Sequence, residues 1–140
     1  MSQFVPISTE IGTLFGRDAI YLDSVSLSDK SNTLELAGEF NCPLASKPPP
    51  PPVKWQAYRI QFCGVLALRV TELDTWESTQ GGRWPKTSFD EVTESAWLAQ
   101  LRSPMSKVTP GHRHFIFQTY DDVFEVICTS YRLDMKGTRA

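Results

Sequence analysis

Two histidines near the C-terminus have the residue types and spacing of a metal site. His112 and His114 are two positions apart in a segment rich in β-branched and aromatic residues, and side chains at i and i+2 of a strand point to one face. Both imidazoles could bind one Zn²⁺, for which Cys128 could add a thiolate. A tight turn at residues 120–121 would place Cys128 opposite Arg113 and facing away from the histidines, unless the hairpin is shifted by one residue. The spacing therefore favours surface histidines over a zinc site.

Three acids follow the histidines and could take part in acid–base chemistry. Asp121, Asp122 and Glu125 could share one proton if they were buried together, which would give a small-molecule site or small enzyme around His112, His114 and Asp122. Alternatively, the aspartates make the turn and Glu125 faces water. The chain has no nucleophile-elbow motif, phosphate-binding glycine loop or His-Glu-x-x-His helix. We therefore predict no catalytic residue and no cofactor.

Charge is distributed unevenly along the second half of the chain. Residues 72–94 contain six acids against Arg83 and Lys86, whereas residues 95–120 contain no acid. Such polarity suits a protein partner that is steered by electrostatics. Two tryptophans in the acidic stretch are candidate anchors of an interface, or alternatively cover the sheet. The predicted partner-binding residues are Trp76, Glu77, Trp84, Asp90, Glu91 and Glu94.

Composition indicates one ordinary globular domain, residues 1–140. The chain is 41% apolar and 21% charged with a net charge of −2, whereas a nucleic-acid binder is usually more basic. No apolar run approaches the roughly 20 residues of a membrane helix, and the N-terminus lacks a signal peptide. The odd number of distant cysteines indicates reduced thiols. We therefore expect a cytosolic protein that binds neither nucleic acid nor membrane.

Alternating apolar residues predict the strands that position these groups. Residues 20–27 and 33–40 form a hairpin around the turn at 28–32, with Leu34, Leu36 and Phe40 facing inward. Residues 55–71 have the strongest period of two, and their length predicts a bend near Gly64. One face of this segment carries its large apolar side chains, which are Tyr58, Ile60, Phe62, Leu66, Leu68 and Val70.

The intervening segments are predicted to be a connection, a loop and a helix. Residues 47–54 contain five consecutive prolines and form a stiff connection, or alternatively an SH3 ligand. Residues 72–87 form a long loop rich in tryptophan and glycine. Ser88 and Glu91 have capping-box spacing, which predicts a helix to Leu101, although Thr93 or Ser95 could cap a later start. With the final hairpin, the prediction is an α+β fold with a mainly antiparallel sheet of five or more strands and one principal helix.

The C-terminal third resembles a known class of bacterial proteins. The spacing Ser95-x-Trp-Leu-x-x-Leu101, followed by His114-Phe-x-x-x-x-Tyr-Asp-x-x-x-Glu-Val-Ile127, is similar to small immunity-type proteins that neutralise secreted polymorphic toxins by binding them. The resemblance implies a cytosolic binding protein without a cofactor. Together with the surface chemistry, it makes a non-catalytic protein-binding domain that occludes a toxin the leading hypothesis.

Overall fold

A computed structural model describes residues 3–135 of the chain, and these form nine strands and two short helices. Helix α1 spans Leu73–Ser78 and helix α2 spans Ala96–Leu101. A 3-10 turn, Cys42–Leu44, follows the third strand. The strands are β1 (Gln3–Pro6), β2 (Ile20–Ser28), β3 (Thr33–Asn41), β4 (Trp55–Cys63), β5 (Ala67–Glu72), β6 (Phe89–Thr93), β7 (Arg113–Gln118), β8 (Asp122–Cys128) and β9 (Ser130–Asp134).

The strands form two antiparallel sheets. One has five strands in the order β1-β6-β7-β8-β5, and the other has four in the order β2-β3-β4-β9. The predicted α+β class with a mainly antiparallel sheet is confirmed. The helical part of the fold is small, because it divides between two six-residue helices. None of the helices in the described part of the chain is long and apolar enough to cross a membrane.

An aromatic core joins the two sheets face to face. Phe62 of β4 contacts Phe115 and Phe117 of β7, with ring centroids 6.1 and 6.5 Å apart. Tyr131 of β9 contacts Phe89 of β6 at 5.2 Å. Aromatic pairs at these separations stabilise a core beyond the burial of their area. The contacts place β4 and β9 over β6 and β7.

The predicted first hairpin is confirmed by the pairing of β2 with β3. Leu34, Leu36 and Phe40 are fully buried, because alternate residues of β3 face the second sheet. The ladder shifts between Leu22 and Ser24, where β2 bulges at Asp23. Gly38 lies beside this irregularity, and a Cβ atom there would lie 1.9 Å from the Tyr21 carbonyl oxygen. Only glycine permits this approach of the two strands.

The bend predicted near Gly64 is present and moves the chain from one sheet to the other. Gly64 has a φ of +66°, a conformation that favours glycine. β4 before it keeps Tyr58 and Phe62 in the core, as predicted. The residues after it lead into an edge strand. Val70 lies opposite the core residue Phe124, on the predicted face, but Leu66 and Val70 are exposed because β5 is the last strand of its sheet.

The helix predicted from Ser88 is wrong at its start. Residues 89–93 form β6, which pairs with both β1 and β7, and Phe89 lies in the core. The later start is the one adopted, because the Ser95 hydroxyl accepts a hydrogen bond from the Leu98 amide at 3.0 Å. Capping-box spacing is a local signal, and strand pairing on both sides of β6 outweighs it.

The segment predicted as a loop over residues 72–87 contains α1. The Glu72 carboxylate accepts hydrogen bonds from the amides of Asp74 and Thr75 at 2.8 and 2.9 Å, which caps the helix. Leu73 and Trp76 are buried against Ile116 and Val123 on the outer face of the five-stranded sheet. The alternative in which tryptophan covers the sheet therefore holds for Trp76. Residues 79–88 connect α1 to β6 without a helix or strand.

The proline-rich segment, residues 47–54, connects the 3-10 turn to β4. The prolines and the adjoining residues line a cavity of about 370 Å³ with Cys42 and Val53. Cys42 and Cys128 are buried and Cys63 is half-buried, and all three are free thiols. This arrangement agrees with the prediction that the cysteines are reduced.

Candidate functional site

A chain of four polar side chains lies on the outer face of the five-stranded sheet, beneath α2. Ser95 Oγ lies 2.7 Å from His114 Nδ1, and His114 Nε2 lies 3.1 Å from Glu125 Oε1. Arg69 donates to both Glu125 oxygens, at 2.8 and 2.9 Å. Ser95, His114 and Glu125 are buried, whereas the Arg69 side chain is about half exposed. We call these four residues the polar relay.

Sheet register brings the relay together. Arg69 of β5 lies directly opposite Glu125 of β8, and His114 of β7 lies opposite Ile127, one diagonal step from Glu125. Residues at such diagonal positions are within reach of long side chains. Ser95 reaches the same face because the chain turns sharply at Glu94, whose φ is +52°, between β6 and α2.

Trp97 covers the relay from α2. The Arg69 guanidinium lies 4.2 Å from the centre of the Trp97 ring, at cation–π distance. The same indole meets the His114 ring edge-on at 5.2 Å. The stacking holds both side chains in one arrangement and separates the relay from solvent on this side.

Glu125 is a buried carboxylate with two partners. Burial raises the pKa of Glu125, but the hydrogen bonds from His114 and Arg69 outweigh it, and the pKa lies below its ordinary value. The carboxylate is therefore ionised at neutral pH. The prediction that Glu125 faces water is wrong, because α2 covers this face of the sheet.

A groove of about 540 Å³ opens beside the relay. Ser95 and His114 form part of its wall, so the relay is reached from solvent through the groove. His112 lies at the rim, where its Nδ1 accepts a hydrogen bond from the Thr109 amide at 2.9 Å. The other charged residues along the groove are Glu91, Glu94, Arg102 and Arg113.

The predicted metal pair borders this groove, but its nitrogens have other partners. Both His114 nitrogens are occupied by Ser95 and Glu125. Cys128 lies opposite Arg113, as the turn predicted. Among residues 3–135, no three histidine, cysteine or acidic residues are grouped as metal ligands. Asp122 pairs with Glu72 at the opposite end of β8, so the histidines and Asp122 do not form one site.

The predicted partner-binding residues are dispersed. Trp76 is 3% exposed and Asp90 is fully buried, so neither is available to a partner, whereas Trp84 is 41% exposed. Glu77 and Trp84 share a cavity of about 230 Å³. Glu91 is held by Arg113 in a two-point ion pair and borders the groove with Glu94. These six residues therefore do not form one surface.

Asp90 is a buried acid on this face, and its pKa is raised. Thr87 donates a short hydrogen bond to its Oδ1, and its Oδ2 has no hydrogen-bond partner among the described residues. Burial raises the pKa of Asp90 to about 6, although the Thr87 hydrogen bond lowers it. Asp90 is therefore a buried carboxyl group rather than part of an acidic surface.

Exposed apolar side chains lie on or beside one terminal strand of each sheet. Val25 and Leu27 of β2 are 50% and 54% exposed, and Leu66 and Val70 beside and within β5 are 36% and 48% exposed. β2 and β5 are each the last strand of their sheet. We call these four residues the open edge.

The two strands of the open edge lie on one side of the molecule. The Val65 amide, next to Leu66, donates to the carbonyl of Asn32 in the turn after β2 at 2.8 Å, which brings the start of β5 close to the end of β2. At the other end of β2, the amide of Tyr120, between β7 and β8, donates to the Ile20 carbonyl at 2.9 Å, and the Tyr120 ring stacks on Tyr21. Val25 and Leu27 lie opposite the buried Leu36 and Leu34, and Val70 lies opposite Phe124. These exposed side chains are therefore on the core-facing sides of the two sheets, and we call the solvent-accessible space beside them the gap.

Sequence reasoning found His114 but neither the relay nor the open edge. Arg69 and Glu125 join the relay only through the pairing of β5 with β8. Ser95, Trp97, His114 and Glu125 all lie within the two C-terminal spacings described from the sequence. No protein-family model, curated protein or solved structure matches the chain.

Proposed function

We propose that the chain is a cytosolic protein-binding domain, and that its open edge binds an extended segment of a partner protein. The observation that carries the proposal is the exposure of Val25, Leu27, Leu66 and Val70, of which all but Leu66 lie opposite buried core residues in their sheets. Side chains at such positions are normally covered by the opposing sheet. A partner that fills the gap would cover them.

The backbone of β2 is suited to bind such a segment. β2 spans nine residues and pairs on one side only, with β3, so its other side presents amide and carbonyl groups to solvent. Natural edge strands are usually protected by charged residues, proline or β-bulges. β2 has no lysine or proline, and its bulge and its one charged residue, Asp23, leave residues 24–28 regular. An added strand would supply main-chain hydrogen bonds and apolar side chains at alternate positions.

The apolar contribution to this binding is modest but useful. Full burial of an aliphatic side chain is worth about 2 kcal/mol. The four side chains of the open edge are already roughly half buried, so covering them would contribute about 4 kcal/mol. That is roughly a thousandfold in affinity before the cost of ordering the partner.

The bulge argues for a different protein as the partner, rather than a second copy. In a two-fold dimer, each copy would bring its own shift between Leu22 and Ser24, which limits the regular ladder to residues 24–28 of each chain. A partner segment without a bulge can follow β2 further. The partner that we propose is a toxin domain, because the C-terminal residues resemble those of immunity-type proteins.

The proposed test measures protection against the polypeptide encoded next to this gene. Wild-type protein is co-expressed with that neighbouring polypeptide, and growth and the dissociation constant of the purified pair are measured. Leu27→Asp places a charge in the gap and should weaken binding at least tenfold and abolish protection. Val5→Asp is the matched control, because Val5 is a similarly exposed residue on β1, at the far edge of the other sheet.

The outcomes test the identity of the partner and the position of the binding surface separately. Protection by wild type and Val5→Asp, but not by Leu27→Asp, supports the proposal in full. Equal binding by Leu27→Asp refutes the open edge as the binding surface. Failure of wild type to protect refutes the toxin partner. Concentration-dependent dimerisation lost in Leu27→Asp would show that a second copy is the occupant.

A further inference from the structure

We infer that Ser95 is a nucleophile activated by His114, and that the groove beside it accepts a small ester as an acyl donor. The relay is on the outer face of the five-stranded sheet, whereas the open edge faces the gap between the sheets. The inference is therefore independent of the proposed binding function. It assigns to the groove a chemistry that the motifs of the chain do not indicate.

The hydrogen bonds define a consistent direction for proton transfer. The Glu125 carboxylate, held by Arg69, accepts from His114 Nε2–H at 3.1 Å. The other nitrogen, Nδ1, is then an acceptor, and the Ser95 hydroxyl donates a hydrogen bond to it at 2.7 Å. A nucleophile within hydrogen-bond reach of a base, which a third group orients, is the arrangement used in nucleophilic catalysis. Here Nδ1 contacts the serine and Nε2 contacts the acid.

The backbone presents Ser95 at a sharp turn between a strand and a helix. Only Glu94 and Ser95 separate β6 from α2. Glu94 has a φ of +52°, a left-handed conformation that costs of order 1 kcal/mol or more for a non-glycine residue. The strained turn aims the Ser95 side chain at His114 and at the groove.

Helix capping alone does not require the relay. The Ser95 hydroxyl already caps α2 by accepting from the Leu98 amide at 3.0 Å, and asparagine or aspartate would serve equally well. Burying a histidine and a carboxylate costs desolvation free energy that an apolar contact would avoid. Anchoring a six-residue helix therefore does not require His114, Glu125 and Arg69.

The acyl-transfer step balances with the groups present and an ester. Ser95 Oγ bonds to the acyl carbon, its proton passes to His114 Nδ1, and the carbonyl electron pair moves to oxygen. The tetrahedral species collapses, the ester C–O bond breaks, and the alcohol leaves with the proton from Nδ1. Water then attacks the acyl carbon and gives a proton to Nδ1. The bond between the acyl carbon and Ser95 Oγ breaks, Oγ takes the proton back from Nδ1, and the carboxylic acid leaves.

The size and charge of the groove limit the ester. About 540 Å³ of space accommodates a small ligand rather than a protein segment. Glu94, Arg102 and His112 border the groove, and the charge of Glu91 is balanced by Arg113, so the groove carries both signs of charge. The expected acyl donors are therefore small esters.

Acylation by p-nitrophenyl acetate is the direct test. Wild-type full-length protein should release p-nitrophenolate and carry one acetyl group, which peptide mass spectrometry places on Ser95. Ser95→Asn keeps a helix cap but has no hydroxyl, so the folded variant should lose this acetylation. Ser8→Asn is the matched control, because Ser8 is exposed and far from Ser95 in the chain, and it should react like wild type.

Two further variants separate catalysis from structure. His114→Gln keeps hydrogen-bonding groups but no base, and should slow acylation of Ser95 by about 10²- to 10⁴-fold. Glu125 is a positioning residue, so Glu125→Gln should shift the midpoint of the pH–rate profile to lower pH, which loss of packing alone would not do. Acetylation of wild type at residues other than Ser95, or at equal rates in wild type and His114→Gln, overturns the inference.

Discussion

Replacing the buried Asp90 by asparagine should stabilise the protein at high pH. Burial raises the pKa of this carboxyl group to about 6 from an ordinary value of 3.8. In the folded protein the neutral acid is favoured, so the native state binds more protons than the unfolded state between these values. Stability is then lost as pH rises from about 4 to about 6, and it stays lower above that range.

The size of the effect follows from the two pKa values. At 1.36 kcal/mol per pH unit, the difference between 3.8 and about 6 corresponds to about 3 kcal/mol at pH 8, and to less than about 1 kcal/mol at pH 4. Asparagine is neutral at both pH values and its amide oxygen can still accept from Thr87. For 140 residues, a gain of about 3 kcal/mol raises Tm by about 10 °C.

Urea unfolding at pH 4 and pH 8 measures this difference. Asp90→Asn should be more stable than wild type at pH 8 and close to wild type at pH 4. Asp29→Asn, in the exposed turn between β2 and β3, is the matched control and should change stability little at either pH. A gain for Asp90→Asn that is equal at both pH values, or a loss at pH 8, would refute the assignment of a buried, destabilising carboxylate.

Three further substitutions test the packing. Trp76→Ala removes the indole that covers the outer face of the five-stranded sheet, and should lower the free energy of unfolding by about 3–5 kcal/mol in urea titrations. Gly38→Ala would place a methyl group against the Tyr21 carbonyl, and should destabilise the protein by more than about 1 kcal/mol. Where there is space for the methyl group, the same substitution stabilises a protein, because alanine restricts the unfolded chain. Ser95→Ala should cost about 1 kcal/mol through loss of the α2 cap, whereas Ser95→Asn should retain most of it; equal losses would contradict the capping role.

Local patterns in the sequence predicted the strands well. The alternation in residues 33–40 identified the buried face of β3, because side chains of a strand point to its two faces in turn. The turn at residues 120–121 also predicted that Cys128 lies opposite Arg113, as observed. A tight turn determines the register of both strands that it joins, so this long-range contact could be derived from local chemistry.

Local patterns failed where two signals competed for the same residues. Ser88 and Glu91 have the spacing of a helix cap, yet residues 89–93 form β6 between β1 and β7. The partners of β6 come from both ends of the chain, so their pairing cannot be derived from the spacing of Ser88 and Glu91. The segment at residues 72–87 likewise was not recognised as containing α1, whose cap is the side chain of Glu72.

By itself, the sequence determined the α+β class, the first hairpin, the bend at Gly64 and the register of the last hairpin. Tertiary structure decided what covers each face. Glu125 alternates as a water-facing residue would, but α2 buries it beside His114, whereas Val25 and Leu27 are apolar but remain exposed because both sheets end beside them. Periodicity states which side chains share a face, and only the packing of distant elements decides whether that face meets water, a helix or another sheet.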